Sequence, residues 1–196
     1  SAQPSKHSFL VQTTIVDGPP RRGQIMIATI AYEGLLYRAL NPRWAADPLS
    51  GEGAALYGGR FNARGTPVLS TSLSPVTALK EAQQVGTFQP VTLVAYEASV
   101  PRLFDGRDID ALWGFGIMPA DLADPDWRDA IRGGRPAPTQ SFAARLQEAG
   151  IHGLLVPSFA PGADADDLNI VVFAWNSDGG ATLRVIDDEN RLARPA

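Results

Sequence analysis

Residues 57–81, YGGRFNARGTPVLSTSLSPVTALKE, constrain this chain more than any other stretch. The glycine pair Gly58-Gly59 frees the backbone to turn tightly or to approach a ligand. Val68 and Leu69 then lead into Ser70, Thr71 and Ser72, a short strand over 68–71 that ends in hydroxyls. Ser74 before Pro75 is a helix start, with a capping serine and a proline where no amide hydrogen is needed. The helix is expected to reach about Val85, with Gly86 as its stop. A loop, a strand and a helix that carry an arginine, hydroxyls and Glu81 suit one wall of a nucleotide pocket.

Composition narrows the chemistry. The chain has 196 residues, within reach of one domain, and 44% of them are hydrophobic, enough for a sizeable core. A formal net charge of −4 argues against a general grip on nucleic acid but leaves room for a local cationic pocket. Cysteine is absent, which excludes disulfides, thiolate zinc sites and cysteine nucleophiles. The two histidines, His7 and His152, are too few for a multi-histidine metal site. No stretch approaches the ~20 apolar residues that span a bilayer, and no signal peptide is recognisable. The expectation is a soluble cytoplasmic protein that needs no metal, membrane or direct nucleic-acid partner.

Along the chain, residues 1–24 read as a polar lead-in, 25–190 as one domain and 191–196 as a tail. Residues 25–32 fit a strand buried on both faces or a short buried helix, which gives a similar run, and 36–40 read as a second short strand carrying Arg38, ended by Asn41-Pro42. Residues 47–62 read as a glycine-rich loop without the Gly-Lys pair of a phosphate loop. Strands are expected over 90–99, 154–157, 169–175 and 182–187. Residues 101–116 read as irregular. Helices are expected over 120–131 and over 139–149, the latter with Thr139 as cap and Gly150 as stop. The acidic segment APGADADD, with Asp164, Asp166 and Asp167, lacks EF-hand spacing and reads as a solvated loop. The sum is a single α+β domain.

Three polar residues stand out. Arg38 lies among leucines, where a guanidinium needs a partner. It is either a clamp for a diphosphate or carboxylate, or half of an interior salt bridge, with Glu81 a candidate partner. Glu81 lies off the Val76, Leu79, Ala82 stripe and faces either water or a pocket. Ser158 follows a buried strand and can hold a phosphate or a catalytic side chain. As a nucleophile it would need His152 as base, and no GxSxG elbow is present, so a triad is not expected.

In order along the chain stand YRAL, GGRFN, VLSTS, ALKEA, PTQSFAARL, GLLVPS and NIVVF. This ordered set, over roughly residues 37–175, resembles the RES-domain family, whose name records an arginine, a glutamate and a serine. They map onto Arg38, Glu81 and Ser158. The resemblance implies an ADP-ribosyltransferase-like mixed β core with flanking helices. It also implies the NAD-consuming toxin of a bacterial type II toxin–antitoxin pair, with an Xre-like helix-turn-helix antitoxin as partner. Cleaving the nicotinamide–ribose bond passes through an oxocarbenium-like state. By this resemblance Glu81 stabilises that cation, Arg38 clamps the diphosphate or ribose, and Ser158 bonds the ligand or orients Arg38. Tyr57 and Phe61 are candidate aromatic walls, with Arg60, Asn62, Ser70 and Ser72 as further NAD-binding candidates.

One departure bears on the product. Relatives commonly carry tyrosine where this chain has Ser70, and the resulting Ser70-Thr71-Ser72 is similar to the strand of arginine–serine–glutamate ADP-ribosyltransferases. That favours transfer to a protein acceptor, a nucleotide-precursor synthetase being one guess, over hydrolysis or phosphorolysis of NAD. A non-catalytic nucleotide- or partner-binding module is the remaining alternative.

Overall fold

A computed structural model of the chain describes residues 7–12, 27–83 and 89–192. In chain order these form β1 (His7–Gln12), β2 (Thr29–Leu40), a 3-10 turn (Pro42–Trp44), α1 (Glu52–Tyr57), β3 (Leu69–Ser72), α2 (Pro75–Ala82) and β4 (Thr92–Asp105). They continue with α3 (Ile109–Gly114), α4 (Pro119–Ala123), α5 (Trp127–Arg132), α6 (Pro138–Glu148), β5 (Gly153–Pro157), β6 (Leu168–Val172) and β7 (Thr182–Val185).

The strand pairings close into a ring. β2 runs antiparallel to β4, and the far end of β4 runs parallel to β5. β5 pairs antiparallel with β6, and β6 with β3. β3 returns to β2 through Tyr37↔Ser72. β1 and β7 extend the free lengths of β2 and β4. Closure leaves little unpaired strand edge.

Period-2 alternation sorts side chains into two cores. On β4, Val94, Tyr96, Ala98 and Val100 face inward; on β2, Tyr32, Leu36 and Leu40 do. Arg38 shares their parity. A second core lies between the helices and the other face of β5 and β6. There Phe104, Phe115 and Phe142 meet edge to face. β5 is buried on both sides, with Leu155 in the first core and Leu154 and Val156 in the second.

Several local expectations are corrected. Residues 36–40 are not a separate strand but the end of the single strand β2. Within the expected lead-in, residues 7–12 form an edge strand on β2. The glycine-rich loop contains α1. β4 runs through Pro101 to Asp105, and α3 occupies part of the supposedly irregular segment. The helix expected over 120–131 is two short helices, parted by Asp124-Pro125, because proline disfavours the helical region for the residue before it. α6 begins one residue earlier than expected, with Ala137 as cap, so Thr139 lies inside it. β6 ends at Val172 and β7 at Val185. The Ser74 cap on α2 forms, accepting the Thr77 N–H at 3.0 Å. The helix stop expected at Val85-Gly86 lies outside the described residues. Among those residues no helix is long and apolar enough to cross a membrane.

Candidate active site

The same alternation that builds the second core also builds the site. Val156 on β5 and Val171 on β6 point into that core. Two residues away with the same parity lie Ser158 and Asn169, where the apolar face gives way to polar side chains that reach Glu81 of α2. Ser72 on β3 is the cross-strand neighbour of Asn169.

These side chains converge on Glu81, in the last turn of α2. Ser158 Oγ donates to Glu81 Oε1 at 2.5 Å, and Asn169 Nδ2 donates to the same oxygen at 2.5 Å. Ser72 Oγ donates to Asn169 Oδ1 at 2.7 Å, which turns the amide nitrogen toward Glu81. Ser158 Oγ in turn accepts the Ala160 N–H.

A second network fixes the angle between α2 and the Ser158 segment. The Asp167 carboxylate accepts from Lys80 Nζ at 2.6 Å, Thr77 Oγ1 at 2.5 Å and the Asp164 N–H at 2.9 Å. Its backbone carbonyl accepts the Ser158 N–H at 2.7 Å. Lys80, then Thr77, then the Asp164 amide pull the Asp167 carboxyl down to about 2. The acidic segment is therefore not simply solvated: Asp167 is buried and pins α2 to the strand end beyond β5.

The network opens into a cleft of about 390 Å³, within the usual range for ligand pockets. Arg38, Arg60, Phe61, Asn62, Ser70, Ser72 and Glu81 all border it. Tyr57 does not; it is exposed at the end of α1. Ser158 stands behind Glu81, outside the lining, and bonds that carboxylate, not Arg38. His152 is also outside it. Burial, then Arg102, lower the pKa of His152.

Arg38 does not pair with Glu81. Its Nη1 donates to the carbonyl oxygens of Pro48 and Ser50 at 3.3 and 3.2 Å, and Tyr96 Oη also donates to Pro48. Burial lowers the Arg38 pKa, and Tyr96 partly offsets this.

The GGRFN loop is held from two sides. Asn62 Nδ2 donates to Ala54 O and Thr66 O, both at 2.9 Å, so this amide is spent on the loop itself. Gln140 Nε2 donates to Gly59 O and Asn62 O, and Thr139 Oγ1 to Arg60 O. A Cβ on Gly59 would lie 2.6 Å from Asn62 Oδ1, so a side chain there would push the Asn62 amide away from Ala54 and Thr66. Arg60 Nη1 donates to Leu122 O and Asp124 O at 2.7 Å.

Sequence reasoning missed Tyr37, Asn169, Phe159, Trp127 and Arg128, all of which border the cleft. Asn169 had a signal, as a lone amide heading the apolar run NIVVF. Trp127 and Arg128 had none, because only the fold carries α5 to the cleft. Among the described residues, no group of three or more histidine, aspartate and glutamate side chains is placed to hold a metal.

A family model described as the RES domain matches residues 35–194. No curated protein matches the chain.

Proposed function

The chain belongs to the RES-domain family, whose members are generally toxins that act on NAD, and we propose that this one cleaves the nicotinamide–ribose bond and transfers ADP-ribose to a cellular protein, arresting growth. The observation that carries this reading is Glu81, a carboxylate bordering a ligand-sized cleft and fixed by Ser158 and Asn169.

Nicotinamide departs with the bonding electron pair and leaves positive charge on the ribose C1 and ring oxygen. The Glu81 carboxylate, already oriented, stabilises that charge without reorganising. An acceptor nucleophile then bonds to C1 and loses its proton. Glu81 is the catalytic residue of this proposal, with Ser158 and Asn169 as positioning residues. Arg38 braces the Pro48–Ser50 carbonyls at the cleft edge. Tyr37 and Phe61 offer rings for the nicotinamide. Ser70, exposed at the rim in place of the family tyrosine, leaves space for a protein acceptor. Water or phosphate as acceptor would give an NAD-depleting enzyme through the same first step. The proposed domain spans residues 25–190, and its proposed partner is an Xre-like helix-turn-helix antitoxin.

The test is mass spectrometry of purified protein incubated with NAD, with and without phosphate and a cell lysate. A mass gain on a lysate protein is expected. Free ADP-ribose or its phosphate adduct, with no protein modified, would replace transfer by NAD degradation. No nicotinamide release in any arm would overturn the enzymatic reading.

A further inference from the structure

Residues 123–136 form a strap beside the cleft. Leu122 and Ala137, which flank it, are buried, but no residue between them is. A segment that buries so little surface is the kind that opens before the rest of a fold. The strap nevertheless carries Trp127, on α5, to the cleft wall. Asp124-Pro125 precedes α5 and Gly133-Gly134 follows it, two short joints about which the helix can pivot.

Trp127 borders two cavities. One is the cleft of about 390 Å³, and the other is a cavity of about 220 Å³ bordered also by Asp121, Asp126, Ala130 and Pro138. Among the described residues its indole N–H has no hydrogen-bond partner. The ring therefore has space to move into and no hydrogen bond to break when it leaves the cleft wall.

Arg60 ties this strap to the body of the protein. Its Nη1 donates to Leu122 O and Asp124 O, both at 2.7 Å, at the start of the strap. Its guanidinium also lies 4.6 Å from the Phe159 ring centroid and 5.7 Å from that of Trp127, within reach of both rings. Phe159 adjoins Ser158, which bonds Glu81. The loop that presents Arg60 is itself held to α6 by Thr139 and Gln140. The tie thus runs from the buried body, through one side chain, to the strap.

We propose that Arg60 is a positioning residue that latches the 123–136 strap, so that α5 and Trp127 close on the cleft during the reaction and lift to pass substrate and product. This rests on the NAD reading above and deepens it, since closure keeps water from the reacting bond.

The test is limited tryptic digestion of the whole protein, read by mass spectrometry, because the strap offers cleavage after Arg128 and Arg132. Without ligand, Arg60→Gln should be cut there at least roughly tenfold faster than wild type, the scale of losing hydrogen bonds from a charged donor. Cleavage at other arginines should not change. Arg60→Lys keeps the charge and should recover part of the protection. Trp127→Ala removes one ring and leaves the GGRFN loop intact. It should also speed strap cleavage, and it decides the matter if Arg60→Gln fails to fold. Saturating NAD should slow strap cleavage in the wild type. Strap cleavage unchanged in either folded, ligand-free variant would overturn the latch, whatever the activity. No protection by NAD in a wild type that releases nicotinamide would overturn closure of the strap during the reaction. Faster cleavage in the variants, in a protein that neither gains protection from NAD nor releases nicotinamide, would uphold the latch and overturn the enzymatic reading instead.

Discussion

Ser158 Oγ donates to Glu81 Oε1 at 2.5 Å, joining the end of β5 to the last turn of α2. Asn169 donates to the same oxygen. The carboxylate is thus aimed by two donors on neighbouring strand ends, themselves held by Ala160 and Ser72. Helix α2 supplies the charge and the sheet supplies its direction.

Glu81→Gln should lower nicotinamide release at least ~100-fold, the scale of losing a preorganised electrostatic contact. Its amide oxygen can still accept from Ser158 and Asn169, so the melting temperature should barely move. Ser158→Ala should lower kcat by roughly 10–100-fold, because a hydrogen bond to a charged group is worth about 1.5–3 kcal/mol. Activity retained in Glu81→Gln, measured by nicotinamide release, would remove the catalytic assignment.

Arg38→Ala should cost stability as well as turnover. Its guanidinium meets the Pro48 and Ser50 carbonyls, and Tyr96 meets Pro48 from the same core. Loss of these bonds is worth about 1.5–3 kcal/mol, or roughly 3–12 °C in melting temperature for a domain of this size. Calorimetry that finds the melting temperature unchanged, with turnover lost, would make Arg38 a ligand clamp alone.

Much of the local structure is legible because it is written in short-range chemistry. Ser74-Pro75 starts a helix wherever it stands, and GLLVP and NIVV are apolar enough to be strands. The pairing of Glu81 with Ser158 and Asn169 is not written that way, since it depends on β5 and β6 lying side by side and on α2 bringing Glu81 to their ends. Arg38 illustrates the limit from the other side. Its place among leucines says that it needs partners, but those partners are backbone carbonyls, which no sequence pattern distinguishes. α4 and α5 were hidden because Asp124-Pro125 breaks one apparent helix into two.

Asp167 should govern acid stability. Its folded-state pKa is depressed from 3.8 to about 2, chiefly by Lys80 and then Thr77. A depressed carboxyl stabilises the fold above its unfolded value, and that contribution fades as pH falls from 3.8 through about 2. Asp167→Asn should therefore be less stable than wild type at pH 7, and the gap should narrow as the pH is lowered through that window. Because the carboxylate ties α2, through Thr77 and Lys80, to the segment whose backbone holds Ser158, the variant should lower kcat as well. Denaturation curves at pH 7 and pH 2 that give the same gap would sever this link.

Gln140 should matter beyond its helix. Its Nε2 donates to Gly59 O at 2.8 Å and Asn62 O at 2.9 Å, while its Oε1 accepts the Ala137 N–H. Gln140→Ala strips two carbonyls of a donor, one of them within a buried contact, at a cost of about 1–3 kcal/mol. Gln140→Glu is the sharper test. The side chain keeps its size and its cap acceptor, but at pH 7 an anionic oxygen faces two carbonyl oxygens. It should destabilise at least as much as alanine near neutrality and recover on acidification, when the protonated carboxyl can donate again. KM for NAD should rise in both variants, because the loop carries Arg60 and Phe61 to the cleft. A glutamate variant as stable as wild type at pH 7 by thermal denaturation would show that this clamp contributes nothing to the loop.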